Sequence, residues 1–357
     1  MELRIEPLDT LFFRDGKPFS MGEETWADSH LLPSPSVIYG MLRTAIATQN
    51  GIPFEDINDL LGKEVFSIIG IYYRANNQIV LPMPLDLVSY DKEAYIIKAE
   101  NEAKEYEVKP LEIRKIENAI FSSIKSAIKS YLLVAKNLEQ VDAIEDGMII
   151  STELSKYLAN EILTTKAIKL TDFLMKEPKI GIARDDMMRN ADEGMLYRVD
   201  MKRPKEFQIG VVFHLTIPLN PNTILKLGGE GKTINLLATR IPTKIAAQNI
   251  VFNNRFKIYF ATPAILLNGQ PDLSKLGIEA KLVAACVGKP ISLGGFDLKE
   301  KKAKQMYRVV PAGSVFYYET PNDVTILNDK QGTPLSDEQA EQGFGIAYFG
   351  TWNYINK

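Results

Sequence analysis

The chain is organised around residues 225–233, LKLGGEGKT, in which three glycines fall within four positions directly ahead of Lys232 and Thr233. Glycine lets the backbone adopt positive φ and lets another molecule approach closely, because it has no Cβ. Unpaired backbone N–H groups beside a lysine favour binding of a phosphate. A P-loop requires a glycine at position 226, where this chain has Lys226, so that interpretation is excluded. The residues leave two interpretations open, a loop that binds a phosphate backbone and an ordinary tight turn.

Charge is distributed unevenly along the chain. The 357 residues favour two domains, and their formal net charge of −3 argues mildly against a nucleic-acid-binding protein, which usually carries a basic excess. Between positions 226 and 257, however, one acid, Glu230, stands among six basic residues, which are Lys226, Lys232, Arg240, Lys244, Arg255 and Lys257. A local basic surface is therefore compatible with the near-neutral total.

The cysteine and hydropathy patterns predict a cytoplasmic protein that contacts no membrane. A single cysteine, Cys286, excludes an intrachain disulfide and a cysteine-based zinc site, and its apolar neighbours predict a buried thiol. The start of the chain lacks the apolar region of a signal peptide. No apolar run reaches the length of about 18 residues that a membrane-spanning helix needs. We identify no cofactor or metal site.

A helix is predicted to begin at Pro35. Ser34 and Pro35 suit the N-cap and first helical position, respectively. The apolar residues that follow recur at helical spacing and predict one buried stripe, formed by Val37, Ile38, Met41, Leu42, Ala45 and Ile46.

The strands around this helix predict a ferredoxin-like unit. An extended segment is expected at Leu3 and Ile5, and further strands at 66–74 and 79–88, with a turn at Asn76-Asn77 between them. The resulting order, β-α-β-β, is the first three-quarters of a ferredoxin-like unit. Strong alternation over 207–217 predicts the strand that completes the sheet.

Residues 91–174 interrupt this unit and are predicted to form a helical insertion. Isoleucines and leucines at three- and four-residue steps predict a long helix over 109–141, and a second helix is expected at 151–164. We find no chemistry in this insertion and expect it to be a partner-docking surface.

We place a domain boundary at residue 250, so that the domains are 1–250 and 251–357. The second domain is expected to repeat the α/β build of the first. Its predicted elements are strands at 256–260 and 264–267, an apolar helix or strand at 274–287, a strand pair at 307–310 and 314–318, and a short helix at 337–341. Two interpretations of the closing GFG at 343–345 remain open, contact with RNA and close packing of strands.

Residues 179–204, KIGIARDDMMRNADEGMLYRVDMKRP, predict a basic hairpin or arm. Its turn is expected at 192–194, with apolar residues near the tip. Methionine and tyrosine side chains there suit wedging between bases, while arginines hold phosphates. The alternative is a surface loop whose methionines fold back onto the core.

Candidate catalytic groups are few. Metal-free RNA cleavage needs a general base, commonly histidine, and the chain has only His30 and His214. His214 is expected on the polar face of its strand, and His30 just before the first helix. The Asp185-Asp186 pair suits either a magnesium ion or two solvated charges.

Seven segments together resemble one known family, the RAMP-type third subunit of the Cmr complex, which is the type III-B CRISPR effector. They are PLDTLFFRDGKPF (7–19), GEETWADS (22–29), LLPSPSVIYGMLRTA (31–45), the GGEGKT loop, VGKPISLGGFDL (287–298), RVVPAGSVFYYE (308–319) and GFGIAYFG (343–350). The resemblance runs from end to end and is weakest in the insertion.

The resemblance implies an α+β protein of two ferredoxin-like (RRM-like) RAMP domains, with a non-catalytic role. The family's subunit binds the 5′ repeat-derived tag of the crRNA and contacts the large polymerase/cyclase-like subunit and the first backbone subunit. A metal-independent RAMP endoribonuclease that processes repeat RNA is the alternative. By position, the implied RNA contacts are Gly228, Gly229, Gly231, Lys232, Thr233 and Arg240 in and after the glycine loop, Lys179, Arg184, Met187, Met188, Arg189, Met195, Tyr197, Arg198, Lys202 and Arg203 in the arm, and Arg14, Arg43, Gly294 and Gly295 elsewhere.

Overall fold

The computed structural model describes residues 1–14, 26–27, 29–90, 95–96, 105–115, 131–162, 164–184, 191–239, 245, 249–297 and 302–354. Their α-helices are α1 (Pro35–Gln49), α2 (Ile57–Leu60) and α3 (Ser151–Leu158). Their 3-10 helices are Phe54–Asp56, Lys136–Leu138, Leu170–Asp172, Leu273–Leu276, Thr325–Lys330 and Ala340–Gln342. In the described residues, no helix is long and apolar enough to cross a membrane.

Strands dominate the architecture. Up to residue 250 they are β1 (Glu2–Pro7), β2 (Trp26–Ala27), β3 (Phe66–Ala75), β4 (Gln78–Pro82), β5 (Leu87–Ser89), β6 (Tyr95–Ile96), β7 (Glu105–Pro110), β8 (Glu112–Lys115), β9 (Tyr131–Val134), β10 (Asp142–Ala143), β11 (Gly147–Ile150), β12 (Thr165–Lys169), β13 (Leu174–Arg184), β14 (Ala191–Pro204), β15 (Phe207–Leu215), β16 (Thr223–Lys226) and β17 (Thr233–Ala238). The later strands are β18 (Arg255–Phe260), β19 (Lys281–Cys286), β20 (Ile291–Leu293), β21 (Phe296–Asp297), β22 (Lys302–Ala303), β23 (Tyr307–Val309), β24 (Val315–Glu319), β25 (Thr333–Pro334) and β26 (Ile346–Thr351). Mostly antiparallel sheet with few helices is an α+β architecture, as predicted.

A large antiparallel sheet has the order β10-β5-β7-β12-β11-β4-β3-β15-β1-β17-β16, with β6 on β7. In its middle, β15 lies between β1 and β3, and the helix α1 connects those two strands. The predicted two-residue turn between β3 and β4 is confirmed, because Asn76 and Asn77 both have positive φ (47° and 61°). Strand 207–217 is confirmed as β15, the partner of both β1 and β3.

The predicted start of α1 is confirmed, and its apolar stripe is buried. Pro35 is its first residue and Ser34 its N-cap, although the Ser34 side chain makes no bond to the helix backbone and lies 2.9 Å from Ser36 Oγ. At the other end, the Asn50 amide donates to the Ile46 carbonyl at 2.8 Å, which satisfies one of the last carbonyls of the helix.

The prediction of a helical insertion is wrong for the described residues of 91–174. These residues form mainly strands, which extend the large sheet through β7, β11 and β12, and a β8–β9 hairpin. The long helix over 109–141 is replaced at its described ends by strands, because 105–110 alternates with period two and pairs with β12, and 112–115 pairs with 131–134. The second helix is confirmed in part, since α3 ends at Leu158 and Asn160 has positive φ.

A second antiparallel sheet has the order β19-β24-β18-β26-β25. Its strands β18, β19, β24 and β26 repeat the arrangement of β1, β3, β15 and β17, with the third strand in chain order between the first and the second. The expected strand at 264–267 is only a bridge from Ala264 to Val310, and the expected helix at 337–341 is the 3-10 turn Ala340–Gln342. The predicted pairing of 307–310 with 314–318 is wrong, because β23 pairs with β20, whereas β24 pairs with β18 and β19.

One apolar core joins the two sheets. The strand β18 alternates, so that Phe256, Ile258 and Phe260 enter a core confined to the second sheet. Tyr259, from the other face of β18, enters the main core that also contains the buried residues of β1, β3 and β15. The second sheet is therefore covered on both faces.

A buried polar cluster lies within this contact. Asp86, which is fully buried, accepts hydrogen bonds from the hydroxyls of Tyr157 (2.8 Å) and Tyr317. Lys257 is also buried, and loss of solvation lowers the pKa of its amine to about 8, an effect that the nearby Asp86 charge opposes. The cluster links α3 and the β4–β5 connection to the second sheet.

Candidate nucleic-acid interface

The arm is an antiparallel pair of strands, β13 and β14, to which the short strand β2 adds in parallel beside Arg198 and Val199. β13 and β14 pair from Leu174–Pro204 to Arg184–Ala191, with an irregularity between Ile182 and Arg184. The hairpin prediction is confirmed, but the turn at 192–194 is wrong, since those residues belong to β14. Residues 185–190 lie outside the described residues, and they include five that the sequence singled out, Asp185, Asp186, Met187, Met188 and Arg189. The side chains of Arg184, Met195 and Tyr197 also lie outside the described part of the chain.

The base of the arm is attached to the segment that follows β1. Leu11 and Lys202 exchange two backbone hydrogen bonds, of 2.7 and 2.8 Å. The side chain of Phe12 packs against Val199 and Met201 of β14. Lys202 is only 2% exposed, so its amine is poorly placed to meet a phosphate on the surface.

The same segment holds the glycine loop, which is the turn between β16 and β17. The Gly229 N–H donates to the Phe12 carbonyl at 2.9 Å. A Cβ at Gly228 would lie 2.4 Å from that carbonyl oxygen, and a Cβ at Gly229 would lie 2.9 Å from the Phe12 ring. The expectation of an open N–H is therefore wrong for Gly229, because the close approach that its glycine permits is made by Phe12. Open space surrounds Gly231 alone of the three.

Ion pairs connect the arm, the glycine loop and the end of β1. Lys179 of β13 lies 3.4 Å from Glu230 in the glycine loop, and Lys232 lies 2.9 Å from Asp9. On the arm, Arg203 donates to Glu177 at 2.7 Å. The two segments that were predicted separately are thus held side by side. We call this surface, formed by residues 9–12, the arm and the glycine loop, the arm–loop surface.

The remaining candidates lie on several elements. Arg198 pairs with Asp200 at 3.0 Å within the arm, and Thr233 begins β17. Arg43 joins α1 to α2 by donating to the Ile57 carbonyl at 2.7 Å, and Arg14 forms an isolated backbone bridge with Ser29. Gly294 and Gly295 lie in the second half of the chain: a Cβ at Gly294 would meet the Met306 sulfur, and the Gly295 carbonyl accepts a hydrogen bond from the Lys304 N–H. Arg240 is not among the described residues.

Sequence reasoning missed the partners of these cations. Asp9, Phe12 and Glu177 were not singled out, because the residues they contact are far away in the chain. Asp9 and Lys232, for example, are 223 positions apart. The only local signal was Glu230, the one acid in the basic run from 226 to 257.

The two catalytic candidates lie on different elements, and only His30 is bonded to a residue next to this surface. His214 is exposed on β15, opposite Ser67 of β3, which confirms the predicted face. His30 donates its backbone N–H to the Phe13 carbonyl at 2.9 Å. Cys286 is half-buried, and burial raises the pKa of its thiol to about 12, so it is protonated at neutral pH. The described residues contain no group of three or more side chains that could hold a metal ion.

One comparison with known proteins identifies the family of this chain, and another shows its fold. A family model described as CRISPR-associated protein (Cas_Cmr3) matches residues 3–352. No curated protein matches the chain. A solved structure, a type III-B Cmr-beta complex bound to cognate target RNA, contains a similar chain with a TM-score of 0.51 and 17% identity, covering 96% of this chain and 95% of that one. A second, bound to cognate target RNA and AMPPnP, contains one with a TM-score of 0.50 and 17% identity, covering 89% and 86%. These likenesses show a common fold. The family match shows that the chain belongs to the Cas_Cmr3 family of CRISPR-associated proteins and is a subunit of a type III-B effector.

Proposed function

We propose that this chain is a non-catalytic subunit that binds the 5′ repeat-derived tag of the crRNA on its arm–loop surface. One observation carries the proposal. The arm and the glycine loop, which both have the residues of a phosphate-binding segment, are joined through Glu230 and through Phe12 into one surface. Lys179, Arg203 and Lys232 lie along it and supply three cations for successive phosphates of a single strand.

Apolar groups on the arm complete a surface of this kind. Ile180 leaves 66% of its surface exposed directly beside Lys179. Proteins that bind single-stranded RNA place apolar or aromatic side chains against the bases and cations against the backbone. Successive side chains of a strand point to opposite faces, so Ile180 projects from the face of the arm opposite Lys179 and offers its apolar surface to a base there.

We extend the proposal to the domains and partners. The repeated strand order of the two sheets supports two ferredoxin-like (RRM-like) domains, at 1–250 and 251–357, with the strand-rich insertion and the arm as additions to the first. In the cytoplasm, the subunit would join the crRNA end of the complex to the large polymerase/cyclase-like subunit and the first backbone subunit. The family membership supports this assignment.

The proposal is tested with three charge-removing variants of the full chain, Lys179→Gln, Arg203→Gln and Lys232→Gln. Each should weaken binding to an RNA that carries the 5′ tag and should reduce the slope of log K against log salt by about one or less. Lys166→Gln is a matched control, because Lys166 is also an exposed lysine in an ion pair, with Glu105 at 2.8 Å on β7. Unchanged affinity and slope in all three folded variants would contradict the proposal.

A further inference from the structure

The three cations assigned to RNA binding, Lys179, Arg203 and Lys232, already have anionic partners. Asp9 accepts from Lys232, Glu230 from Lys179, and Glu177 from Arg203. Each pair joins one acid and one base, so the three pairs together carry no net charge before RNA arrives. Lys232 is the least exposed of these three cations, since only 14% of its side-chain surface is accessible.

The pairs are close enough to influence one another. Arg203 lowers the pKa of Glu177, which Asp9 raises and Lys232 lowers more weakly. Lys232 likewise lowers the pKa of Asp9, through their hydrogen bond above all. Both carboxylates therefore stay ionised at neutral pH, and the two pairs behave as one alternating group of charges.

Glu230 occupies a backbone conformation that favours glycine. Its φ is +57°, and glycines stand on both sides of it in the turn. A glutamate at this φ is less favourable than a glycine would be. A glycine at this position would lack the Glu230 carboxylate, which pairs with Lys179 of the arm.

We propose that Asp9, Glu177 and Glu230 occupy the places of RNA phosphates in the free protein and are displaced when the tag binds. The inference rests on the proposed function, because it concerns how that same surface selects RNA. Exposed ion pairs are weak, and in all three pairs the acid is at least one-third exposed, so a strand that contacts all three cations at once can replace the carboxylates. A strand that reaches only one cation must approach the two remaining acids and is repelled. The acids thus favour an RNA that fits the whole surface over any other polyanion.

The test removes the acids and keeps the cations. The triple variant Asp9→Asn, Glu177→Gln, Glu230→Gln of the full chain is compared with a control triple, Glu105→Gln, Glu153→Gln, Asp337→Asn. The control acids also pair with lysines and change the net charge equally, but they lie on other elements. Binding is measured to an oligouridylate and to an RNA of the same length that carries the 5′ tag.

The acid triple should bind oligouridylate about tenfold more tightly than the wild type, with a steeper salt slope. Its affinity for the tagged RNA should change less, so that discrimination between the two RNAs falls. The control triple should show neither change.

Two results would overturn the inference, and they are distinguishable. If the acid triple behaves as the control triple while Lys179→Gln, Arg203→Gln and Lys232→Gln weaken tag binding, the cations bind RNA but the acids do not select it. If those lysine and arginine variants also bind as the wild type does, the proposed function fails and the inference fails with it. Circular dichroism of both triples establishes that each is folded.

Discussion

The ammonium group of Lys257 lies 3.4 Å from the centroid of the Tyr157 ring, and this contact joins the two sheets inside the protein. Lys257 belongs to β18 of the second sheet, whereas Tyr157 belongs to α3, which packs beside the large sheet. The ring face and the charge of Asp86 stabilise the buried cation, but they do not replace the lost water, since burial still lowers the pKa of Lys257 to about 8.

Stability should therefore rise with pH between 7.5 and 9.5. The folded state holds the Lys257 proton less tightly than the unfolded state does, so the charging penalty is present below pH 8 and is relieved as the pH rises toward the unfolded pKa. The expected increase in the free energy of unfolding is about 2 kcal/mol over this window. Urea denaturation at each pH measures it.

Lys257→Met is the control for this titration. The variant keeps the volume of the side chain without its charge, so its free energy of unfolding should vary less over the same window. Burial raises the pKa of Tyr157 and Tyr317 in the folded protein, so these tyrosines ionise more easily once they are unfolded. Their ionisation favours unfolding near pH 10, and the measurement therefore ends below that pH. Parallel pH curves for the two proteins would contradict a depressed pKa at Lys257.

Gly350→Ala should destabilise the contact between β26 and α3. A Cβ at this position would lie 2.5 Å from the Leu158 carbonyl oxygen and 2.8 Å from its Cα, and neither backbone atom can rotate away. Overpacking of this kind costs about 1–3 kcal/mol or more. Gly40→Ala is the matched substitution in α1, where nothing lies within 4 Å, and it should stabilise by about 0.5–1 kcal/mol. Thermal denaturation should show opposite signs; equal signs would contradict the packing described here.

Gly228→Ala and Gly231→Ala should differ, although both glycines have positive φ (77° and 64°). The added Cβ meets the Phe12 carbonyl only at Gly228, because the space around Gly231 is open. We expect Gly228→Ala to lose about 1–3 kcal/mol more than Gly231→Ala. Faster amide hydrogen exchange in residues 11–13 should accompany the loss. Equal effects of the two changes would mean that the glycine loop does not rest on Phe12.

The chain should not cleave repeat RNA. The chain has only two histidines, the usual general base of metal-free RNA cleavage, and His30 and His214 lie on separate elements, before α1 and on β15. The assay incubates wild type, His30→Ala and His214→Ala with repeat RNA, with and without Mg²⁺. A single specific cut by the wild type that either variant loses would establish the endoribonuclease alternative instead.

Local signals in the sequence predicted local structure well. Ser34 and Pro35 mark the start of α1, and Asn76-Asn77 marks the first hairpin, because caps and two-residue turns depend on neighbouring residues. The helix over 109–141 was wrong at its described ends, because apolar spacing alone does not distinguish a helix from strands that pair with distant partners. The pairing of Lys232 with Asp9 could not be predicted either, because the two residues are 223 positions apart. The sequence therefore did not show that the cations of this surface have acidic partners.

The shared core has a consequence for synthesis on the ribosome. Ile346 and Tyr348 of β26 pack into the core that β1, β3 and β15 begin, and translation reaches β26 after every other described strand. At the usual rates, the roughly 100 residues after position 250 take about 5–20 s to make. During that interval the nascent chain carries an unfinished apolar interior, and exposed surface of that kind is prone to aggregate. The main core is therefore completed only after β26 has left the exit tunnel.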